Sequence, residues 1–180
     1  MKKVMMHVLL IVSASLWAQE EDFTKLPGYI DMSRILDIDP SQATTEVEIK
    51  NPLLSLVAAA TEDEDAELSG LLQSLKLIKV YSFEVDSGQA AGVRQRIETL
   101  DRQMRGDKWD RFIRVRDEDE LTNVYLKMEQ KRVVGLTVLS VEDDETVFVN
   151  IIGDIDMESV GKLGEKFDIP KLDSVQTKTY

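Results

Sequence analysis

The chain contains no cysteine, and its only histidine is His7, close to the start of the sequence. A serine or cysteine nucleophile activated by histidine therefore cannot form in the rest of the chain. Zinc and copper sites built from thiolate or imidazole ligands are excluded for the same reason. What remains is lysine chemistry, carboxylate chemistry, and calcium or magnesium held by oxygen ligands. The composition favours a non-enzymatic protein, and we predict no catalytic residue, no metal ligand and no cofactor.

The charge is strongly one-sided, with 34 acidic and 22 basic residues and a formal net charge of −12. A surface of this charge repels nucleic acid and anionic lipid, so a nucleic-acid partner is not expected. Because acidic residues are so frequent, pairs of carboxylates arise by chance and indicate little. A carboxylate-based hydrolase and a calcium-dependent carbohydrate binder nevertheless remain alternatives.

The first 18 residues have the pattern of a secretory signal peptide. Lys2 and Lys3 precede an apolar stretch at residues 4–12, and small residues follow before Ala18. The stretch is shorter than the roughly 20 residues that a membrane-spanning helix needs. We expect cleavage near Ala18, which removes two basic residues and no acidic ones and leaves a net charge of −14. The expected product is secreted or periplasmic, without a transmembrane segment and without a cysteine for a lipid anchor.

Hydrophobic residues make up 43 % of the 180 residues, which is enough for the core of one domain. After the signal peptide, residues 1–18, we predict a lead-in segment at 19–43. A single α+β domain at 44–169 follows, and then a disordered tail at 170–180.

The first half of the domain alternates between strand and helix patterns. We predict strands at 44–50 and 77–85, since apolar and polar residues alternate or β-formers dominate there. Between them, Asn51 is predicted to cap a helix whose apolar stripe repeats every three to four residues. A second helix follows an acidic turn, and a third is predicted to start at a Ser87 cap and to stop at Gly106. The helical stripes are Leu53, Leu56, Val57 and Ala60; Leu68, Leu71, Leu72 and Leu75; and Val93, Ile97, Leu100 and Met104.

The second half contains four strand patterns joined by short linkers, at 109–116, 123–128, 133–141 and 146–152. Short linkers predict hairpins and an antiparallel meander. The last two strands are apolar at nearly every position, which predicts that they lie near the centre of the sheet. We predict a turn at Gly153 and a final helix capped by Asp156. The fold class is therefore α+β, with a mainly antiparallel sheet of about six strands and helices packed chiefly on one face.

Three acidic or glycine-containing motifs partly resemble ligand sites. A phosphate loop at Gly153 would need more glycines and no neighbouring aspartates. Asp154 and Asp156 could ligate calcium, but one of the two is needed to cap the predicted final helix. The stretch 37–48 matches part of a calcium loop, with acids or serine at positions 1, 3, 5 and 12, but it lacks the glycine of the sharp turn. None of the three is therefore predicted to bind a ligand.

One segment departs from the acidic background. Residues 94–116 contain eight basic and four acidic side chains, so this segment is +4 in a chain that is otherwise acidic. Arg111, Arg114 and Arg116, in the strand at 109–116, are the predicted binding residues of an anion-facing or self-complementary surface. The alternative is that these arginines pair with acids of the same chain.

Several segments together resemble a known family of secreted bacterial envelope proteins, the domain of unknown function 4252 family. The resemblance covers about residues 26–170, and its most specific segments are "WDRFIRVRDEDE" and "VVGLTVLSVEDDETVFVNIIGDID". It implies an exported single domain, and it implies no activity and no catalytic residue. Many members have a cysteine after the signal peptide, which this chain lacks, so a free periplasmic or exported form is implied.

These observations favour a non-enzymatic protein-interaction module of the cell envelope, which binds another protein or itself. Besides the hydrolase or calcium-dependent carbohydrate binder, a carrier of a small hydrophobic ligand between sheet and helices stays open.

Overall fold

The computed structural model describes residues 21–118 and 120–156 of the chain. Short 3-10 turns at Phe23–Lys25 and Pro40–Gln42 flank the first helix. The helices are α1 Met32–Leu36, α2 Asn51–Thr61, α3 Ala66–Ser74 and α4 Ser87–Gly106. The strands are β1 Thr45–Lys50, β2 Leu75–Glu84, β3 Trp109–Arg116, β4 Leu121–Glu129, β5 Arg132–Val141 and β6 Glu145–Ile155.

The six strands form one sheet in the order β1-β2-β6-β5-β4-β3, and every neighbouring pair is antiparallel. Strands β3 to β6 follow one another as the predicted meander. The two most apolar strands, β5 and β6, occupy the centre, as their sequences predict. The α+β class with a six-stranded antiparallel sheet is thus confirmed.

The long helix α4 lies on one face of this sheet. Its stripe of Val93, Ile97, Leu100 and Met104 is buried, as predicted from the spacing, and it packs on aromatic side chains of the strands. Asp86 caps the helix, because its side chain accepts from the Gln89 N–H while the Gln89 side chain accepts from the Asp86 N–H. The prediction that Ser87 is the cap is wrong by one residue.

The other face of the sheet presents a row of β-branched side chains that crosses all six strands without a charged residue. We call it the valine row; it consists of Val47, Val80, Val149, Val138, Val124 and Ile113. Residues directly opposite in a sheet share a face, so these six lie side by side. Leu54 of α2 and Leu71 of α3 belong to the apolar cluster on this face. Helices therefore contribute to both faces, with the longest, α4, opposite the valine row.

Helix α2 is rotated relative to the sequence prediction. Its buried residues are Leu54 and Ala58, whereas Leu56 of the predicted stripe is 66 % exposed. Asn51 is the first helical residue, not the cap, and its side chain accepts from the Ser55 hydroxyl at 3.0 Å. The cap position belongs to Lys50, which has no capping side-chain bond.

Strand β6 runs straight through the predicted turn at Gly153 and ends only at Ile155. Gly153 instead allows the backbone of β6 to approach the backbone at Ser74 and Leu75 closely. A Cβ there would lie 2.6 Å from the Ser74 carbonyl oxygen, where the chain passes from α3 into β2. The helix predicted after Asp156, the predicted signal peptide and the predicted C-terminal tail all lie outside the described residues.

The lead-in segment crosses the α4 face of the sheet at its centre. The buried Asn150 side chain donates to the Gly28 carbonyl at 3.0 Å and accepts from the Ile30 N–H at 3.2 Å. At the crossing the two backbones almost touch, since a Cβ on Gly28 would lie 2.0 Å from the Val134 carbonyl oxygen. Residues of α1 then pack beside α4 in the same core.

This crossing predicts a large penalty for Gly28→Ala. The added methyl group has no space, so the lead-in must lift off β5, and we expect the free energy of unfolding to fall by about 1–3 kcal/mol. The measurement is denaturant unfolding followed by the fluorescence of Trp109, the only tryptophan after residue 18. The matched control is Gly92→Ala on α4, where a Cβ meets nothing within 4 Å. It should raise the free energy of unfolding by about 0.5–1 kcal/mol. Equal stabilities of the two variants would contradict the crossing.

Candidate interaction site

The three predicted arginines project from one side of β3. Arg111 pairs with Tyr125, Arg114 with Asn123 and Arg116 with Leu121 in the register of β4. Simple alternation would put Arg111 on the opposite side from the other two. A β-bulge between Arg111 and Ile113 shifts the register and brings it to the same side. The sequence pattern contains no signal for this bulge.

Two of these arginines form ion pairs with α4. Arg111 pairs with Asp101, whose side chain is only 17 % exposed, and Arg116 Nη2 lies 2.6 Å from Glu98 Oε1. Elsewhere in the basic segment, Arg94 pairs with Asp143 and Arg96 with Asp37. Arg114 is exposed and has no ion pair with another described residue. Internal pairing thus accounts for much of the basic segment, and Arg114 is the arginine of β3 left to contact another molecule.

A buried polar chain lies beneath these pairs. The Tyr125 hydroxyl donates to Asp101 Oδ1 at 2.7 Å and accepts from Asn123 Nδ2 at 3.0 Å. Burial, and next the hydrogen bond to the Asp101 carboxylate, raise the pKa of Tyr125 well above its ordinary value. Asp101 therefore joins Arg111 at the surface to Tyr125 in the core, and it holds β3 against α4.

The acidic residues of the calcium-loop motif each interact with a different group of the protein. Asp39 caps the Pro40–Gln42 turn by accepting from the Ser41 N–H, and this bond lowers its pKa. Asp37 pairs with Arg96. Glu48 lies between Lys50 and Lys79, at 3.0 and 3.2 Å, and the bond with Lys50 lowers its pKa. Within residues 21–118 and 120–156, no group of three or more histidine, cysteine or acidic side chains could hold a metal ion.

Two open clefts bear on the alternative functions. An acidic cleft of about 570 Å³ lies between the start of α4 and the β5–β6 hairpin. Two of its carboxylates are already engaged, since Asp86 caps α4 and Asp143 pairs with Arg94. A second cleft of about 460 Å³ between the lead-in and α4 mixes apolar Phe83 with charged Asp37 and Arg96. Neither is the enclosed apolar cavity that a carrier of hydrophobic molecules needs.

The outward side of α2 is an apolar surface that sequence reasoning did not recognise as exposed. We call it the α2 stripe; it consists of Leu53, Leu56, Val57 and Ala60. The three large side chains are 49 %, 66 % and 42 % exposed. The helix contains no charged residue in a chain in which 31 % of residues are charged. That absence of charge was the available signal, because a helix with one buried side normally has a polar opposite side.

The fold defines the chain as a single-sheet α+β protein, and none of the described helices is long and apolar enough to cross a membrane. The chain belongs to the family described as Domain of unknown function (DUF4252), whose model matches residues 40–163. No curated protein and no solved structure matches it. The family resemblance predicted from the sequence is thereby confirmed.

The polar chain predicts the behaviour of Tyr125→Phe. Loss of the hydroxyl leaves the buried Asn123 Nδ2 without its acceptor and removes the core hydrogen bond of Asp101, which keeps only its pair with Arg111, so we expect the free energy of unfolding at neutral pH to fall by about 1–3 kcal/mol. Because the folded state raises the pKa of Tyr125, its contribution is complete below about pH 10 and is lost as pH rises further. Denaturant unfolding measures the first effect, and phenolate absorbance against pH the second.

The control for this experiment is Tyr29→Phe, because the Tyr29 hydroxyl has no hydrogen bond to another described residue. Its stability should match that of the unchanged chain. If Tyr125 ionises in the ordinary tyrosine range, and if its removal costs no stability, the buried chain to Asp101 is refuted.

Proposed function

We propose that this protein is an exported, non-enzymatic interaction module of the bacterial envelope, and that it binds a partner protein through the α2 stripe. The supporting observation is the exposure of Leu53, Leu56 and Val57 on a helix without charges. Isolated exposed apolar residues are ordinary on protein surfaces, but a contiguous group is typical of a binding site. Three of the five large apolar side chains that are exposed in the described chain belong to this one helix.

The surroundings of the stripe indicate the chemistry of the partner. Immediately after α2 the chain continues with Glu62, Asp63, Glu64 and Asp65. An apolar stripe that ends in four acids fits a partner with an apolar groove and basic side chains at one end. A membrane surface fits less well, because anionic lipid repels a chain with a net charge of −12.

Arg114 is a second predicted contact, separate from the α2 stripe because β3 and β1 are opposite edges of the sheet. It lies on the edge strand β3, and its guanidinium is not engaged by another described residue. An acidic partner surface would complement it. Arg111 and Arg116 would contribute to such a contact only as members of their pairs with α4.

The first experiment is cross-linking of the tagged protein in cells, identification of the captured partner, and measurement of its affinity with both proteins purified. Leu56→Glu should weaken binding at least about tenfold, because it places a charge in the centre of an apolar contact. The fold should tolerate it, since the side chain is mostly in solvent. The matched control is Met128→Glu on β4, an exposed apolar residue that gains the same charge.

The design separates the possible binding surfaces. Equal affinities of the Leu56→Glu and Met128→Glu variants would refute the α2 stripe as the binding surface. Loss of affinity only in Arg114→Glu would assign the contact to β3. Sedimentation that shows a dimer abolished by Leu56→Glu would identify the partner as a second copy, and binding to anionic vesicles would identify a membrane.

Export is part of the proposal and has its own test. The lysines, apolar stretch and small residues of the first 18 positions support a cleavable signal peptide. Expressed in a bacterial host, the protein should be recovered outside the cytoplasm with Gln19 as its first residue, as determined by mass spectrometry of the intact chain. Replacing the apolar Leu9 and Leu10 with arginine should retain the uncleaved chain in the cytoplasm. Recovery of Met1 outside the cytoplasm would contradict cleavage.

A further inference from the structure

Strand β1 is an edge of the sheet whose side chains face solvent along most of its length. Residues 45–48 are all exposed, and Val47 is one of the five large apolar side chains that are exposed in the described chain. Three of the others belong to the α2 stripe, on the helix that directly follows β1. Because α2 contacts β1 and β2, the stripe and this edge adjoin each other. An exposed edge strand is a template for pairing with a strand of another chain, so the edge extends the surface that a partner would cover.

The register of β1 on β2 shows which backbone groups of this edge point outward. The hydrogen bonds of successive residues in a strand alternate between its two sides. Ser82 of β2 faces β1, because its carbonyl accepts from the N–H of the residue that precedes β1, and Val80 therefore faces β1 as well. Val47 is opposite Val80 and faces β2 in turn. The N–H and C=O groups of Glu46 and Glu48 thus point away from the sheet, where a further strand would bond them.

We propose that this surface binds a second copy of the chain, with the two β1 strands pairing antiparallel about a twofold axis that passes between the two Glu48 residues. The proposal rests on the proposed function, because it names the partner of the α2 stripe. In this register Glu48 lies opposite Glu48 of the other copy, and Glu46 lies opposite Lys50. All three residues direct their backbone groups outward, so they form the hydrogen-bonded pairs of the new ladder. The two six-stranded sheets then join into one continuous sheet.

On the α4 face of the sheet, this register places opposite charges against each other. Glu46 is on that face, since it lies opposite the core residue Tyr81, and it has no ion pair with another described residue. Lys50 lies 3.0 Å from Glu48 in its own chain, and an ammonium group has three donors, so it can bind Glu46 of the other copy in addition. Cross-strand pairs of opposite charge stabilise a sheet, and the twofold axis provides this pair twice.

On the opposite face, which carries the valine row, the same register is apolar. Val47 of one copy lies opposite Ile49 of the other, and the two α2 helices lie on this face on either side of the axis. The twofold axis makes the helices antiparallel. The four acids that follow one helix, residues 62–65, therefore approach the start of the other, where Lys50 and the positive end of the helix dipole lie. A second copy thus provides both the apolar surface and the positive charge that the α2 stripe requires.

The net charge of −12 per chain does not prevent this contact. At physiological ionic strength, exposed charges that are farther apart than about 8 Å are largely screened, so the charges at the interface decide the outcome. There, the acids Glu46 and Glu48 are balanced by two bases, Lys50 and Lys79. The two Glu48 carboxylates at the axis are already compensated, because each lies 3.0 Å from Lys50 and 3.2 Å from Lys79 of its own chain.

The first test removes a backbone donor from the proposed ladder. In sedimentation equilibrium of the purified protein, Glu48→Pro should raise the dissociation constant of the dimer at least about tenfold, because both central N–H groups are lost. The fold should tolerate this change, since proline is accepted on an edge strand where the N–H faces outward. The matched control is Glu48→Ala, which removes the same carboxylate and keeps the N–H, so the dimer should persist.

The second test exchanges the charges of the cross-strand pair. Glu46→Lys alone and Lys50→Glu alone each make both pairs of the dimer like-charged, so each should raise the dissociation constant at least about fivefold. An equal mixture of the two variants restores both opposite-charge pairs in a mixed dimer and should regain the original affinity. Only the proposed register, with residue 46 opposite residue 50, predicts this rescue.

A monomer at every concentration would overturn the second copy as the partner. It would leave the proposed function itself to be judged by the affinities of the Leu56→Glu and Met128→Glu variants for a captured protein. A dimer that Glu48→Pro and Glu48→Ala affect equally would overturn the pairing of β1, and so would a mixture of charge variants that stays monomeric. If Trp109 fluorescence shows that Glu48→Pro unfolds the chain, the mixture of the charge variants decides alone.

Discussion

The contact between Gly28 and Gly135 determines how the rest of the molecule is arranged. The lead-in can cross the sheet only where both backbones lack side chains, and a Cβ on Gly135 would lie 2.6 Å from both Gly28 Cα and the Trp109 ring. The Asn150 side chain forms hydrogen bonds with the Gly28 carbonyl, the Ile30 N–H and the Thr137 hydroxyl, so it satisfies the polar groups at the crossing. A buried amide that satisfies otherwise unpaired backbone groups fixes one position along β5 and β6. The place of α1 beside α4 follows from that position.

Ion pairs on the α4 face of the sheet explain why residues 94–116 offer fewer free arginines to another molecule than their charge suggests. Helix α4 and strand β3 are consecutive, so acids on the helix are brought directly over arginines on the strand. The bulge at Phe112 completes the match by turning Arg111 toward Asp101. Exposed pairs such as Arg116 with Glu98 contribute little to stability. Asp101 differs because it is mostly buried and also accepts from Tyr125, so it links the surface pair to the core.

The elements that were predictable from the sequence are those whose periodicity agrees with their burial. Helix α4 and strands β3 to β6 have clear apolar repeats, and each was located within a few residues. The errors arise where a tertiary contact overrides a local signal. Gly153 is a typical turn residue, but here it makes room for Ser74. Helix α2 is apolar on nearly every side, so its spacing could not distinguish Leu54 from Leu56 as the buried residue. Contacts between distant segments, such as Asn150 with Gly28, leave no local pattern.

The exposure of the α2 stripe is difficult to explain by the needs of the fold. Leu54 and Ala58 are the buried residues of the helix, so polar residues at positions 53, 56 and 57 would leave its buried side unchanged and would favour solubility. The chain otherwise uses charge freely, with acids placed directly after the helix. Charged side chains at these positions would favour solubility, yet the surface is apolar. The best explanation is that another molecule covers it.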